Sequence, residues 1–278
     1  MNTEPTTPFR AGRLPKEADD HFLGLERAAP VATDAALLTE ALVSKAITRK
    51  AMICIHGQVG LGKTFAVNAA CRKLAPGATV LLQFAQAPHM AQIRAALWDG
   101  LDLSGPAPVN TTHICDDQIR QALASSFHLL LLDEVQHLGP TALEYLRDLW
   151  DKNSKSAKSL AIVFVGSGNT RQKVLHCDPL HSRVHRWQQF SPLTPAEILT
   201  VIPGYHRLWN GVEDDVLLWI DDCAGHGCFR TWANLTVILQ DALDDDPNLT
   251  FSKDLVRWAF SQLDPTTRFP GQVGVNGN

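Results

Sequence analysis

Residues 51–64 read AMICIHGQVGLGKT, and this stretch decides the fold. The first six residues are mostly apolar and predict a buried β-strand, and residues 57–64 match the pattern GxxxxGK[ST] without departure. In this pattern the glycines let the backbone wrap closely around phosphate groups. The N–H groups of the loop and the N-terminus of the next helix supply positive potential. The sequence therefore predicts a phosphate-binding loop that joins a strand to a helix.

Two side chains at the end of this loop carry the chemistry of nucleotide binding. We expect Lys63 to reach the β- and γ-phosphates of ATP, and the Thr64 hydroxyl to bind the accompanying Mg²⁺. A chance glycine-rich turn is a poor alternative, because the motif lies between a predicted strand and a predicted helix. The predicted nucleotide contacts of the loop are Gly57, Gln58, Val59, Gly60, Leu61, Gly62, Lys63, Thr64 and Phe65.

An acidic pair follows a second apolar run, because residues 129–134 read LLLLDE. A parallel strand that ends in two acids places both at the carboxyl edge of the sheet, where ligands bind in such folds. We predict that Asp133 contacts the nucleotide and its Mg²⁺. We predict that Glu134 polarises the water that attacks the γ-phosphate, as a positioning group and general base.

Strand-like and helical patterns alternate through the first two thirds of the chain. The β-rich runs are residues 51–56, 79–84, 128–133, 160–166 and 186–190. The third and fourth runs are almost continuously apolar, which is typical of parallel strands covered on both faces. This alternation predicts a three-layer α/β domain with a five-stranded parallel sheet.

The strand signal ends after Pro195, and the remaining patterns predict helices at 197–209, 213–223, 229–243 and 252–263. They form a small all-helical lid in this interpretation. The predicted organisation is an N-terminal arm at 1–32, an α/β core at 33–194, a helical lid at 195–265 and a flexible tail at 266–278.

Composition bounds the compartment and the class of partner. The chain has 278 residues, a net charge of -4 and no apolar run long enough to cross a bilayer, so we expect a cytoplasmic protein without a membrane partner. Six cysteines fit free thiols in a reducing compartment. A zinc site near Cys223, His226 and Cys228 is the alternative, but a paired CxxC set is absent from the sequence.

Three further sites have residue types that suit nucleotide hydrolysis. Ser167 and Asn169, after the fourth predicted strand, are alternative contacts for the γ-phosphate or its attacking water. Arg183, with Arg186 as the second choice, suits an arginine finger that reaches the nucleotide of a neighbouring subunit. Arg230 opens a helix of the predicted lid and suits a nucleotide contact within its own chain.

The order of these motifs resembles the AAA+ ATPases of DNA transposition, the TnsC, TniB and MuB group. The resemblance rests on the phosphate loop, DEVQHL at 133–138, TALEYLRDLWD at 141–151, AIVFVGSGNTR at 161–171 and DPLHSRVHRW at 178–187. It covers about residues 33–245. It implies a P-loop AAA+ fold in which Lys63 and Thr64 match the phosphate loop and Asp133 and Glu134 match the acidic pair. The sensor, finger and second-sensor positions fall on Ser167 or Asn169, on Arg183 and on Arg230.

The resemblance also implies an activity and partners. Such proteins hydrolyse ATP to ADP and phosphate, assemble as rings or helical filaments on duplex target DNA, and recruit a transposase, in some cases through an adaptor. They disassemble when ATP is hydrolysed. The DNA-facing positions correspond to Arg94, Thr111 and Thr112. Residues 84–118, which contain these positions, have Arg94 as their one arginine or lysine. The alternative DNA contacts are therefore Arg49 with Lys50, and Lys152 with Lys155 and Lys158.

Two other functions remain open on the sequence. A helicase loader or replication initiator would use the same nucleotide chemistry with other partners. A nucleotide-switched scaffold without a DNA role would fit the shortage of basic residues, although the acidic pair argues against it.

Overall fold

The computed structural model describes residues 9–12, 14, 22–25, 27–84, 86–108, 111–156 and 160–263. The chain divides into two compact units. The α/β unit contains Met1–Pro15, Ala35–Val59 and Lys63–Phe190, and the helical unit contains Lys16–Asp34, Gly60–Gly62 and Ser191–Asn278. The predicted boundaries at 33, 195 and 265 stay a prediction, and the predicted tail at 266–278 lies outside the described residues.

The α/β unit is built on one sheet. In the described residues its strands are β1 (Phe9–Gly12), β2 (Met52–Gly57), β3 (Thr79–Phe84), β4 (His128–Asp133), β5 (Leu160–Gly166) and β6 (Val184–Phe190), in the spatial order β1-β3-β4-β5-β2-β6. Strands β2 to β6 pair in parallel, which confirms the predicted five-stranded parallel sheet. Strand β1 adds an antiparallel edge to β3, and the sequence analysis did not predict it within the arm.

The central strands are buried on both faces, as their continuous apolar sequences predicted. Leu130 and Leu132 of β4, with Ile162 and Phe164 of β5, face one large apolar core. The alternate residues of the same strands are also buried and point to the opposite face. Helices therefore cover both sides of the sheet, which gives the predicted three layers.

Helices separate the strands of the α/β unit, as the alternating pattern predicted. They are α1 (Asp34–Arg49), α2 (Lys63–Leu74), α3 (Met90–Gly100), α4 (Thr112–Ser125), α5 (Pro140–Ser156), α6 (Thr170–Leu175) and α7 (Asp178–His181). Buried polar groups hold α1 against β6. Gln188 of β6 accepts a hydrogen bond from the Thr39 hydroxyl (2.9 Å) and donates one to the carbonyl of Ala35 (2.8 Å).

The helical unit contains α8 (Pro195–Tyr205), α9 (Asp214–Ile220), α10 (Phe229–Asp245) and α11 (Lys253–Leu263). The helix predicted at 213–223 is shorter than expected, because the chain changes to a π-helical turn at Asp221–Gly225. The Asp221 carboxylate accepts hydrogen bonds from Gly227 N–H (2.8 Å) and Trp232 Nε1 (3.0 Å). These bonds fix the turn that leads into α10.

Part of the predicted arm packs in the helical unit. Leu25 is buried in its core, and the N–H of Ala29 donates to the carbonyl of Tyr205 (2.8 Å). Across the described ranges, none of the helices combines the length and the apolarity needed to span a bilayer.

Candidate nucleotide site

The phosphate loop and the acidic pair meet at the carboxyl edge of the sheet. Strand β2 leads into the loop, and β4 ends at Asp133. The Thr64 hydroxyl, in the first turn of α2, donates to Asp133 Oδ2 at 3.1 Å. Lys63 is only 7% exposed, and its ammonium donates to the carbonyl of Gln58 at 2.5 Å. The fold thus joins residues almost 70 positions apart, as the sequence predicted.

Asp133 is buried without an ion-pair partner among the described residues. It is 4% exposed, and its other carboxylate oxygen accepts the N–H of Glu134 at 2.9 Å. Burial raises the pKa of this carboxyl to about 6, and the neighbouring Glu134 charge adds to the rise. The hydrogen bonds and the Lys63 charge oppose the rise without cancelling it. A bound cation would supply the missing positive charge.

Gly57 shows why the start of the loop excludes a side chain. Its φ is 148°, and an added Cβ would lie 2.6 Å from the carbonyl oxygen of Phe190. Any other residue would push β2 and β6 apart where they pair. The glycine therefore allows the loop to leave the sheet at this point.

The middle of the loop, Gly60–Gly62, belongs to the helical unit. The N–H of Arg230, in the first turn of α10, donates to the carbonyl of Gly60 at 2.9 Å. An added Cβ on Gly60 would lie 2.7 Å from Cys228 Sγ. The Arg230 side chain is exposed, and its predicted contact with nucleotide stays a prediction.

The two sensor candidates differ in their surroundings. Ser167 is half-buried, and its N–H donates to Gln136 Oε1 at 3.0 Å. The other end of the Gln136 side chain donates to Glu134 Oε2. Asn169 is exposed at the start of α6 without a side-chain cap bond. The backbone of Ser167 is therefore connected to the acidic pair, a link that no pattern in the sequence indicated.

The finger candidates also differ. Arg183 donates through Nε to Asp151 Oδ1 (2.6 Å) and through Nη1 to the carbonyl of Pro179 (2.5 Å). Asp151 also accepts a hydrogen bond from Arg147. Arg186, on β6, is exposed. Arg183 is thus held by α5 and α7 within its own unit.

The residues predicted to face DNA are placed less favourably. The Arg94 guanidinium donates twice to Asp116, at 2.8 and 3.3 Å, so its charge is already paired. Thr111 and Thr112 lie at the start of α4, half-buried and exposed respectively. These assignments stay predictions, and the pairing of Arg94 leaves it little freedom to contact phosphates.

The alternative basic clusters are likewise partly paired. Lys152 forms an ion pair with Asp148 (2.7 Å), and the Lys50 ammonium lies 3.7 Å from the centre of the Phe127 ring. Arg49 is exposed, and Lys158 lies outside the described residues.

The cysteines and histidines do not form a metal-binding group in the part of the chain that the structure describes. All six cysteines are free thiols. At the sheet edge, by contrast, a hydroxyl and a carboxylate lie beside a buried lysine. Such hard oxygen ligands suit Mg²⁺ with a phosphate ester.

Comparisons with known proteins support the fold described above. Residues 46–174 match the family described as AAA domain. In sequence, no curated protein matches the chain. The fold resembles the crystal structure of Cdc6p from Pyrobaculum aerophilum, with a TM-score of 0.72 and 16% identity over 86% of this chain and 69% of that one.

Two further solved structures extend the likeness. The Orc1 protein of Aeropyrum pernix in complex with DNA gives a TM-score of 0.65 at 14% identity, over 84% of this chain and 67% of that one. The Holliday junction branch migration motor RuvB of Thermotoga maritima gives 0.57 at 18% identity, over 84% of this chain and 70% of that one. Residues 46–174 are therefore similar to the AAA domain family, and the chain has an α/β P-loop fold like that of these solved structures.

Proposed function

We propose that this protein is a magnesium-dependent ATPase that hydrolyses ATP to ADP and phosphate. One observation carries the proposal: the Thr64 hydroxyl lies 3.1 Å from the Asp133 carboxylate, beside the buried Lys63, at the carboxyl edge of a parallel sheet. Each of these groups has the chemistry that a nucleoside triphosphate and its cation require.

The residues divide the work as follows. Lys63 binds the β- and γ-phosphates, and loop N–H groups bind the remaining phosphate oxygens. Thr64 and Asp133 hold Mg²⁺, which when bound neutralises charge on the phosphates. Glu134 orients the attacking water and accepts its proton. Ser167, or Asn169 in its place, contacts the γ-phosphate side of the site.

Two arginines complete the proposed machinery. Arg230 contacts nucleotide within its own chain. Arg183, or alternatively Arg186, reaches the nucleotide of a neighbouring subunit and stabilises negative charge in the transition state. For Arg183 this requires that its bonds to Asp151 and Pro179 be exchanged for bonds to phosphate.

The proposed biological role is regulation of DNA transposition. The protein would assemble with ATP into a ring or filament on duplex DNA, recruit a transposase directly or through an adaptor, and leave after hydrolysis. The order of motifs from DEVQHL at 133–138 to the arginines near β6 supports this role. The fold similarity to an Orc1 protein solved in complex with DNA supports DNA as a partner.

A replication-initiator role is the second candidate. The observation that favours it is the similarity of the fold to Cdc6p and Orc1 across more than four fifths of this chain. Both candidates share the ATPase and DNA, and they differ in the protein that is recruited.

The ATPase is tested by phosphate release with duplex DNA and Mg²⁺. We expect Lys63→Ala to lower turnover by about 100-fold or more, because the phosphates lose their main cation. The matched control is Lys45→Ala, which removes an exposed lysine of α1 and should leave turnover unchanged. Equal turnover in Lys63→Ala and the parent would refute the proposed site.

The role is tested by ATP-dependent co-sedimentation with duplex DNA at two salt concentrations, followed by affinity purification with Glu134→Gln as bait. Capture of a transposase supports the transposition role, and capture of a replicative helicase supports the initiator role. If DNA neither binds the protein nor stimulates hydrolysis, both roles are wrong.

A further inference from the structure

The Gln136 side chain lies between the acidic pair and the loop that follows β5. Its Nε2 donates to Glu134 Oε2, and its Oε1 accepts the N–H of Ser167 at 3.0 Å. The Thr170 hydroxyl lies 3.2 Å from the same Oε1 and 2.8 Å from the carbonyl of Ser167. The side-chain amide of Gln136 thus bonds both to Glu134, which follows β4, and to the backbone N–H of Ser167, which follows β5.

The space for this amide is shaped by Gly166, the last residue of β5. A Cβ at this position would lie 2.5 Å from Gln136 Oε1 and would also meet the Thr170 side chain. The glycine therefore lets the glutamine side chain approach the end of the strand, a close approach that a larger residue would prevent.

The backbone that carries Gln136 is also held in place. Glu134 has a left-handed conformation, with φ 57° and ψ 39°, which is uncommon outside glycine, asparagine and aspartate. A short 3-10 turn, Val135–His137, follows. The Lys173 ammonium of α6 donates to the carbonyls of Gln136 and Leu138. The turn is therefore fixed from the same helix that begins after Ser167.

We infer that Gln136 is a positioning residue for hydrolysis. It holds the Glu134 carboxylate in the orientation that aligns water, and it couples that orientation to the backbone of the Ser167 loop. This inference rests on the proposed ATPase function. It predicts that a change in the Ser167 loop on contact with the γ-phosphate moves Glu134 through a single side chain.

Two substitutions separate the halves of the amide. Gln136→Met keeps the length of the side chain and removes both hydrogen bonds. Gln136→Glu keeps the acceptor for Ser167 N–H and removes the donor to Glu134. We expect both to lower kcat by about tenfold while the Kd for ATP stays within about twofold, because alignment is lost and phosphate binding is not.

The control is Gln172→Met, an exposed glutamine of α6, which should retain the parent kcat. Thermal unfolding of each variant shows whether the fold is intact. A parent-like kcat in Gln136→Glu, or a loss of ATP affinity as large as the loss of kcat, would overturn the inference.

A double-mutant cycle tests whether Gln136 acts through Glu134. Single-turnover hydrolysis is measured for Glu134→Gln with and without Gln136→Met. We expect no further loss in the double variant, because the group that Gln136 positions is already absent. A further loss of about tenfold would mean a role independent of Glu134 and would refute the inference. If the parent itself does not hydrolyse ATP, the proposed function fails, whereas active Gln136 variants refute this inference alone.

Discussion

Two carboxylates of the α/β unit, the buried Asp133 and the half-buried Asp116, have opposite electrostatic environments. Asp116 of α4 accepts two hydrogen bonds from Arg94 and one from the Tyr145 hydroxyl at 2.7 Å. Among the described residues, Asp133 at the end of β4 accepts hydrogen bonds only from a hydroxyl and a backbone N–H. The first carboxylate has its countercharge within the fold, and the second lacks one among the described residues.

Their pKa values reflect this difference. Burial acts to raise the pKa of Asp116, but the bonds from Arg94 and Tyr145 outweigh it and hold the pKa below its usual value. Burial of Asp133 prevails and raises its pKa to about 6. A structural carboxylate is thus stabilised by the protein itself. Ionised Asp133 is left in a costly state, which a bound cation would relieve.

The largest expected effect concerns the chemistry beside Asp133. Glu134→Gln removes the carboxylate that we propose as the general base but keeps the shape of the side chain, so we expect turnover to fall by about 100-fold or more with ATP binding retained. Phosphate release and equilibrium binding of ATP measure the two quantities. The control is Glu40→Gln, which changes a carboxylate of α1 that pairs with Lys73 of α2. This variant should leave turnover intact.

The next largest expected effect comes from breaking the ion pair between Arg94 and Asp116. Arg94→Ala leaves the Asp116 carboxylate, whose side chain is 14% exposed, without its cation. We expect a loss of about 2 kcal/mol in the free energy of unfolding, measured with urea. The exposed Arg49→Ala serves as control, with an expected change below about 0.5 kcal/mol. Reduced DNA affinity without reduced stability in Arg94→Ala would instead support the predicted phosphate contact.

A substitution at Asp133 should have the opposite sign. The pKa of the Asp133 carboxyl is higher in the folded protein than in the unfolded chain, so the ionised carboxylate destabilises the fold. This destabilisation is absent below about pH 4 and complete above about pH 6. We expect Asp133→Asn to stabilise the magnesium-free protein by about 1 to 2 kcal/mol near pH 7.5 and to lose this advantage near pH 4. Urea unfolding at both values measures the change, and a destabilised variant near pH 7.5 would contradict the assignment.

The smallest expected effect comes from removing the hydrogen bond between the Tyr145 hydroxyl and Asp116. Tyr145→Phe removes one of the hydrogen bonds to Asp116 and leaves the Arg94 pair intact. We expect a loss of about 1 kcal/mol in stability, roughly half the loss in Arg94→Ala. If the two losses were equal, the hydroxyl rather than the guanidinium would be the main partner of Asp116.

The sequence alone determined the parallel sheet, most of the helices and the residues that meet at its edge. Continuous apolar runs can be buried only between two layers, and a parallel strand delivers its last residues to one edge. Lys63, Thr64 and Asp133 could therefore be placed together before any coordinates were known. This prediction was possible because each strand and helix is indicated by the pattern of apolar residues within its own short stretch of sequence.

Only the tertiary structure decided the partners of individual polar side chains. The pairing of Arg94 with Asp116, the bond of Arg183 to Asp151 and the contacts of Gln136 join residues that are distant in sequence or unremarkable in type. The strand at Phe9–Gly12 belongs to the same class, because an edge strand depends on a neighbour that local sequence does not specify. Hydrogen bonds depend on distance and direction at the scale of tenths of an ångström, and packing of the whole domain sets these quantities.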